Sequence, residues 1–116
     1  MLKKLAPAKR HQLADMTYRN RALLDLAHGA PCFLQIATIG CGEFSSVPCH
    51  SDMQRHGRGV GHKSGDEFAV PGCPKCHALF TREHLGRDGY EWRWQIAHDR
   101  YLSWLFTNNK LEVKNG

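Results

Sequence analysis

At 116 residues, with a formal net charge of +5 and a pI of about 9.1, the chain reads as one small domain with room for only a modest core. No run approaches the ~18 apolar residues of a membrane span, and Met1–Arg10 lacks the apolar centre of a secretory signal, so a cytoplasmic protein without a membrane partner is expected. Five cysteines in that compartment argue against a disulfide framework and for metal binding, while the basic excess fits either plain solubility or a polyanionic partner.

In chain order, residues 1–17 read as a basic arm interrupted by Pro7. Thr17 is placed to cap a helix over Tyr18–His28, with Leu23, Leu24, Leu26 and Ala27 on its apolar side and Gly29 ending it. Pro31 redirects the chain, and Cys32–Ile36 reads as a short strand. Ile39-Gly-Cys-Gly42 is a tight turn. The stretch 43–72 is rich in loop residues, with short strands predicted at Ser45–His50 and Phe68–Val70. A helix is predicted over Cys76–His84, which meets no breaker until Gly86. A longer one follows over Asp88–Phe106, where Tyr90, Trp94, Ala97, Tyr101 and Leu105 recur three or four apart as a buried face. Residues 109–116 read as a frayed tail. The expected class is α+β: one domain over 18–108, its core at 32–84, flanked by an N-terminal helix and a long C-terminal one.

The segment Gly40–Gly65 has few large aliphatic residues and many Gly, Ser, His and Cys, so burial alone does not hold it in shape. Cys73-Pro-Lys-Cys76 is a CxxC outside any thioredoxin-like βαβ context, and Cys32 and Cys41 lie upstream beside a Gly-rich turn. Four thiolates suit a closed tetrahedral structural zinc site, with buried or reactive thiols as the alternative. Cys49 is the odd one out.

Of eight histidines, His50 ends a predicted strand and His77 follows a cysteine of the CxxC. On a helix, adjacent residues diverge by about 100°, so His77 is free to serve a second site beside the first. Convergence of His50 and His77 would supply a general base and a ligand for a catalytic divalent cation (Mg²⁺, Mn²⁺ or Zn²⁺), a pairing suited to phosphodiester hydrolysis. Arg55, Arg58 and Lys63 lie between them on a Gly-rich loop able to approach a sugar-phosphate backbone. The blander reading of that loop is a solvated connection.

Taken together, Pro31-Cys32, Cys41, a strand-terminal His50, the loop Gly61-His-Lys-Ser-Gly-Asp66 and Cys73-Pro-Lys-Cys-His77 resemble the small HNH-like nucleases of phages and prophages, the YbcO type in particular, over about Arg19–His84. The resemblance implies a ββα-metal fold in a bacterial or phage-infected cell, with His50 as general base, His77 as first ligand of the catalytic ion, and the four cysteines on structural zinc. Lys63 and Asp66 match a Lys and an Asp that recur in the family's loop. Two positions depart from the pattern. Thr81 stands one turn after His77, where a further ligand is usual, and Cys49 precedes the base. The function expected is a metal-dependent DNA endonuclease of low sequence specificity. Alternatives are a non-catalytic zinc-containing nucleic-acid-binding module and a zinc-stapled protein-interaction domain. The aromatic C-terminal helix would suit a homodimer contact.

Overall fold

In the computed structural model, the residues described are 17–59 and 62–112. The basic arm up to residue 16, Gly61 of the loop motif and the tail beyond residue 112 fall outside them. Six elements follow in order: α1 (Arg21–Ala27), β1 (Val47–His50), β2 (Ala69–Gly72), α2 (Pro74–Leu79), α3 (Arg82–Leu85) and α4 (Arg87–Thr107). The two strands pair antiparallel, His50 opposite Ala69 and Val47 opposite Gly72. The result is a small mixed α/β architecture. No described helix is long and apolar enough to cross a membrane.

Tyr90, Trp94, Ala97, Tyr101 and Leu105 are the five buried residues of α4, as their spacing predicts. Three residues one turn apart also carry polar tips that stitch α4 to the β1–β2 connection. The Tyr90 hydroxyl accepts from the Asp52 N–H at 2.9 Å, Trp94 Nε1 donates to the Phe68 carbonyl at 3.1 Å, and His98 Nε2 lies 3.1 Å from the Glu67 carbonyl. An aromatic side chain with one polar end thus both fills core and bonds backbone of the connection. Leu34, Cys49, Met53, Val70, Phe80, Tyr90 and Trp94 share the main core, and Ala27, Tyr101 and Leu105 form a smaller one.

Four expectations are corrected. The first helix begins at Arg21 and is capped by Asn20, whose Oδ1 accepts from the Leu23 N–H at 3.0 Å; Thr17 is not its cap. The preceding residues are instead drawn into extended chain by Asp66: the Asp66 N–H donates to the Tyr18 carbonyl, and the Asn20 N–H donates to the carboxylate. Cys32–Ile36 is not a strand. It bends, with Gln35 at φ +48°, because its sulfur and N–H groups are turned toward the cysteines of α2. The helix expected over Cys76–His84 breaks at Phe80 and restarts after Thr81, whose side chain caps α3 by accepting from the His84 N–H at 3.1 Å. Nor does the tail fray at once: the Lys110 N–H closes onto the Leu105 carbonyl at 2.8 Å, and Leu111 packs on the smaller core.

Gly72 is fixed by close approach. A Cβ there would lie 2.4 Å from Leu34 Cδ1 and 2.9 Å from Cys49 Sγ, both in side chains with no room to retreat. Gly72→Ala is expected to cost about 1–3 kcal/mol by overpacking, read from the midpoint of urea unfolding.

His56, buried and stacked on Phe68 at 3.9 Å, places Nδ1 2.6 Å from Ser51 Oγ. Burial first, then the Arg55 and His98 charges, push its pKa down from 6.5 to about 4. The folded state therefore stays neutral while the unfolded chain takes up a proton. The associated stability is complete above about pH 6.5 and is lost as pH falls toward 4, to an extent on the order of 3 kcal/mol. In His56→Phe that loss should vanish, so the difference between wild-type and variant unfolding free energies should shrink as pH is lowered from 7 to 4.5.

Candidate functional site

The structure brings Cys32, Cys41, Cys73 and Cys76 together with all four sulfurs within 4.8 Å of one another. Cys73 and Cys76 enter from the first turn of α2, where Cys73 is the N-cap; Cys41 comes from a turn whose Gly40 and Gly42 both adopt φ +80°. A tetrahedral zinc with ~2.3 Å bonds to sulfur needs S···S separations of about 3.8 Å, and Cys76 and Cys41 already stand at 3.6 Å. Backbone N–H groups aim at the sulfurs: Ile36 and Ala37 at Cys76, both 3.3 Å, and Cys73 at Cys32, also 3.3 Å. Such donors favour thiolate over thiol.

Within the cluster the thiols titrate against one another. Burial raises Cys73, but N–H groups of Gly42 and Cys76 and the thiols of Cys76 and Cys32 outweigh it and bring the pKa down to about 7. Cys41 goes the other way, to about 12, through burial, its bonds to Cys76 and Cys32 and the proximity of their charge. Cys73 thus becomes thiolate more readily than Cys41, and a divalent cation bound among the sulfurs favours the thiolate form of each ligand. These four residues can hold a metal ion such as zinc.

Cys49, the odd one out, lies outside the cluster. Strand alternation turns it into the core, fully buried, where burial foremost pushes its thiol up to about 12.

The same alternation sends His50 to the opposite face, where it lines an open cleft of about 560 Å³. His77, exposed on α2, lines that cleft too, as do Arg58 and Lys63 from the long connection and Arg82 from α3. Residues far apart in sequence thus line one cleft. Behind His50 stands Asp66, only 4% exposed, with Oδ1 at 2.9 Å from His50 Nε2. Its other oxygen accepts from the Asn20 N–H at 2.7 Å, and Arg19 Nη1 stands 3.3 Å from Oδ1. Burial raises the Asp66 carboxyl, but the His50 and Asn20 hydrogen bonds and the His50 and Arg19 charges together hold it below the ordinary carboxylate value. An ionised Asp66 fixes Nε2 of His50 as the protonated nitrogen and leaves Nδ1 as the acceptor. Arg19 spends its guanidinium on Asp66 and the Ser64 and Lys63 carbonyls. No signal at a separation of 47 residues announces that pair.

Arg55 is not in this cleft. The 3-10 turn Gln54–His56 buries His56 and points Arg55 toward α4, where it meets Glu91 at 3.5 Å. Nor do the residues present make a second cation site: among the described residues, the four cysteines are the one group of three or more metal-type side chains whose ligand atoms converge. Thr81 is spent as a helix cap, and Asp52 is held by Arg82 at 2.8 and 3.0 Å. Among the described residues, no group of three or more such side chains gathers at His77.

No protein-family model, curated protein or solved structure matches the chain.

If the cysteines hold zinc, the purified protein should carry one equivalent by elemental analysis, and cobalt exchange should give thiolate-to-metal charge-transfer absorption. Cys73→Ser should lose the metal, and strong chelators should abolish cooperative unfolding of the wild type, because metal binding worth on the order of 10 kcal/mol becomes folding energy.

Proposed function

We propose that the protein is an endonuclease that hydrolyses phosphodiester bonds of DNA, with His50 as general base and Asp66 as its positioning residue. The observation that carries this reading is the His50–Asp66 pair at 2.9 Å opening onto a cleft shared by His77, Arg58 and Lys63. Further support comes from the order of parts. A hairpin whose first strand ends at His50 leads directly into a helix carrying His77, beside a four-cysteine cluster, which is the order of a ββα-metal nuclease with structural zinc. Phage or prophage origin follows from that resemblance alone.

In the proposed reaction, Asp66 accepts the Nε2–H of His50, and Nδ1 takes a proton from water. The resulting hydroxide attacks phosphorus; a P–O bond forms, the bond to the departing sugar oxygen breaks, and that oxygen takes a proton from solvent. Arg58 and Lys63 would steady the phosphate oxygens as charge builds on them. His77 faces the same phosphate and would contribute a hydrogen bond. A non-catalytic nucleic-acid-binding module is the second reading, favoured by the absence of a convergent second-cation ligand set among the described residues.

Plasmid nicking in Mg²⁺, Mn²⁺ or EDTA separates the two. His50→Ala should lower cleavage about 10²- to 10⁴-fold with DNA affinity retained, and Asp66→Asn at least about tenfold through loss of the held tautomer. DNA binding without cleavage under any metal, by a folded, metal-loaded protein, would leave the binding module.

A further inference from the structure

The cleft does not end at His50 and His77. Asp52 and Arg82 form a shared wall, and on its far side lies a second groove of about 310 Å³ lined by Arg55, Arg87 and Glu91. Three arginines from three different segments face this groove: the 3-10 turn, α3 and the first residue of α4.

Its charges are arranged rather than scattered. Asp52 grips Arg82 through Nε at 3.0 Å and Nη2 at 2.8 Å, and the guanidinium lies 4.7 Å over the Tyr90 ring, which is itself stacked on Phe80 at 4.1 Å. A guanidinium carries five N–H donors, so this clamp leaves Arg82 fixed in direction with donors to spare. Glu91 is shared between Arg55 at 3.5 Å and Arg82 at 3.9 Å. The two carboxylates are thus matched to Arg82 and Arg55, which leaves Arg87 as the charge in excess. A small nonpolar ligand has nothing to bind here, and a free carboxylate would compete with Asp52 and Glu91. A polyanion passing along the wall fits, because it can meet Arg87 and the spare donors of Arg55 and Arg82 in succession without displacing either carboxylate.

We propose that this groove is a second phosphate subsite: a nucleic-acid strand seated at His50 continues past Arg82, and Arg55 and Arg87 hold a flanking phosphate. The inference rests on the nuclease reading for the direction of the strand. It makes the substrate a polynucleotide rather than a mononucleotide diester, and it gives Arg55 the backbone contact expected of it in a different compartment from Arg58 and Lys63.

Fluorescence anisotropy on the full-length, metal-loaded protein tests it, with a labelled single strand of about 12 nucleotides compared with a dinucleotide across a salt series. The Arg55→Ala/Arg87→Ala double variant should bind the long strand about tenfold more weakly, and its log–log salt slope should fall by roughly 0.7, as for one lost single-strand phosphate. The advantage of the long strand over the dinucleotide should shrink to match. Glu91→Gln, which removes a competing negative charge without touching the arginines, should tighten binding two- to threefold. Unchanged affinity and slope in the double variant overturn the subsite, and if His50→Ala still abolishes cleavage, the nuclease reading stands without it. Loss of slope in the double variant of a protein that never cleaves keeps the subsite and sinks the catalytic reading. A wild type with no salt-dependent binding to either oligonucleotide overturns both.

Discussion

Everything in the first half of this fold depends on four sulfurs meeting in one place. Between Pro31 and Ser46 there is no regular secondary structure, and two of its large apolar side chains, Ile39 and Phe44, stand 78% and 66% exposed. Hydrophobic burial anchors only its beginning, where Leu34 is fully buried and Phe33, Ile36 and Ala37 pack on the cores. The rest of its shape comes from Cys32 and Cys41 reaching the first turn of α2, from the Ile36 and Ala37 N–H groups that point at the Cys76 sulfur, and from the Phe33 N–H, which donates to the Pro71 carbonyl of β2. An extended Cys32–Ile36 would have satisfied local propensity, but it would have directed those N–H groups away from the cluster. The cluster prevails because an unpaired sulfur set costs more than an unmade strand.

Once α2 is anchored there, the hairpin divides labour by alternation alone. Cys49 and His50 are adjacent, yet one fills the core under Gly72 and the other opens on the cleft. Asp66 then joins regions that the hairpin leaves separate. It draws the chain before α1 into place through the Asn20 N–H and Arg19, and it orients His50 from behind. A buried carboxylate with this many partners is costly to leave incomplete, so structural order and the orientation of the proposed base are secured by the same residue.

Opposite the sulfur cluster, α4 works as a beam. Its aromatic face fills the core while Tyr90, Trp94 and His98 hold the long connection by their polar ends. That connection delivers Arg58 and Lys63 to the cleft and Arg55 to the neighbouring groove. Its path explains how cations close in sequence come to serve different walls: the turn that stacks His56 under Phe68 also rotates Arg55 away from its neighbours. Catalytic geometry and strand binding would then rest on one rigid support, which suits a site that must hold a flexible polymer still.

Local rules sufficed wherever a residue's partner lay within a few positions. Helical spacing found the five buried residues of α4, glycines marked the turn at Cys41, and the short strands expected at Ser45–His50 and Phe68–Val70 lie within two residues of β1 and β2. Cysteine chemistry went further, since four thiols in a small chain have few stable arrangements, and the odd one was identifiable by its spacing. Tertiary structure decided what depended on a distant partner. Thr81 became a cap because Phe80 had to turn into the core beside Tyr90, and Arg19, though still exposed, is turned onto Asp66, 47 residues on, because that carboxylate is buried and needs donors. Asp52, unremarkable in sequence, clamps Arg82 thirty residues away and becomes the wall between two compartments. Periodicity and composition report which face a residue takes; they carry no information about the charge it will meet there, and charge pairing across the fold is what shapes the candidate site.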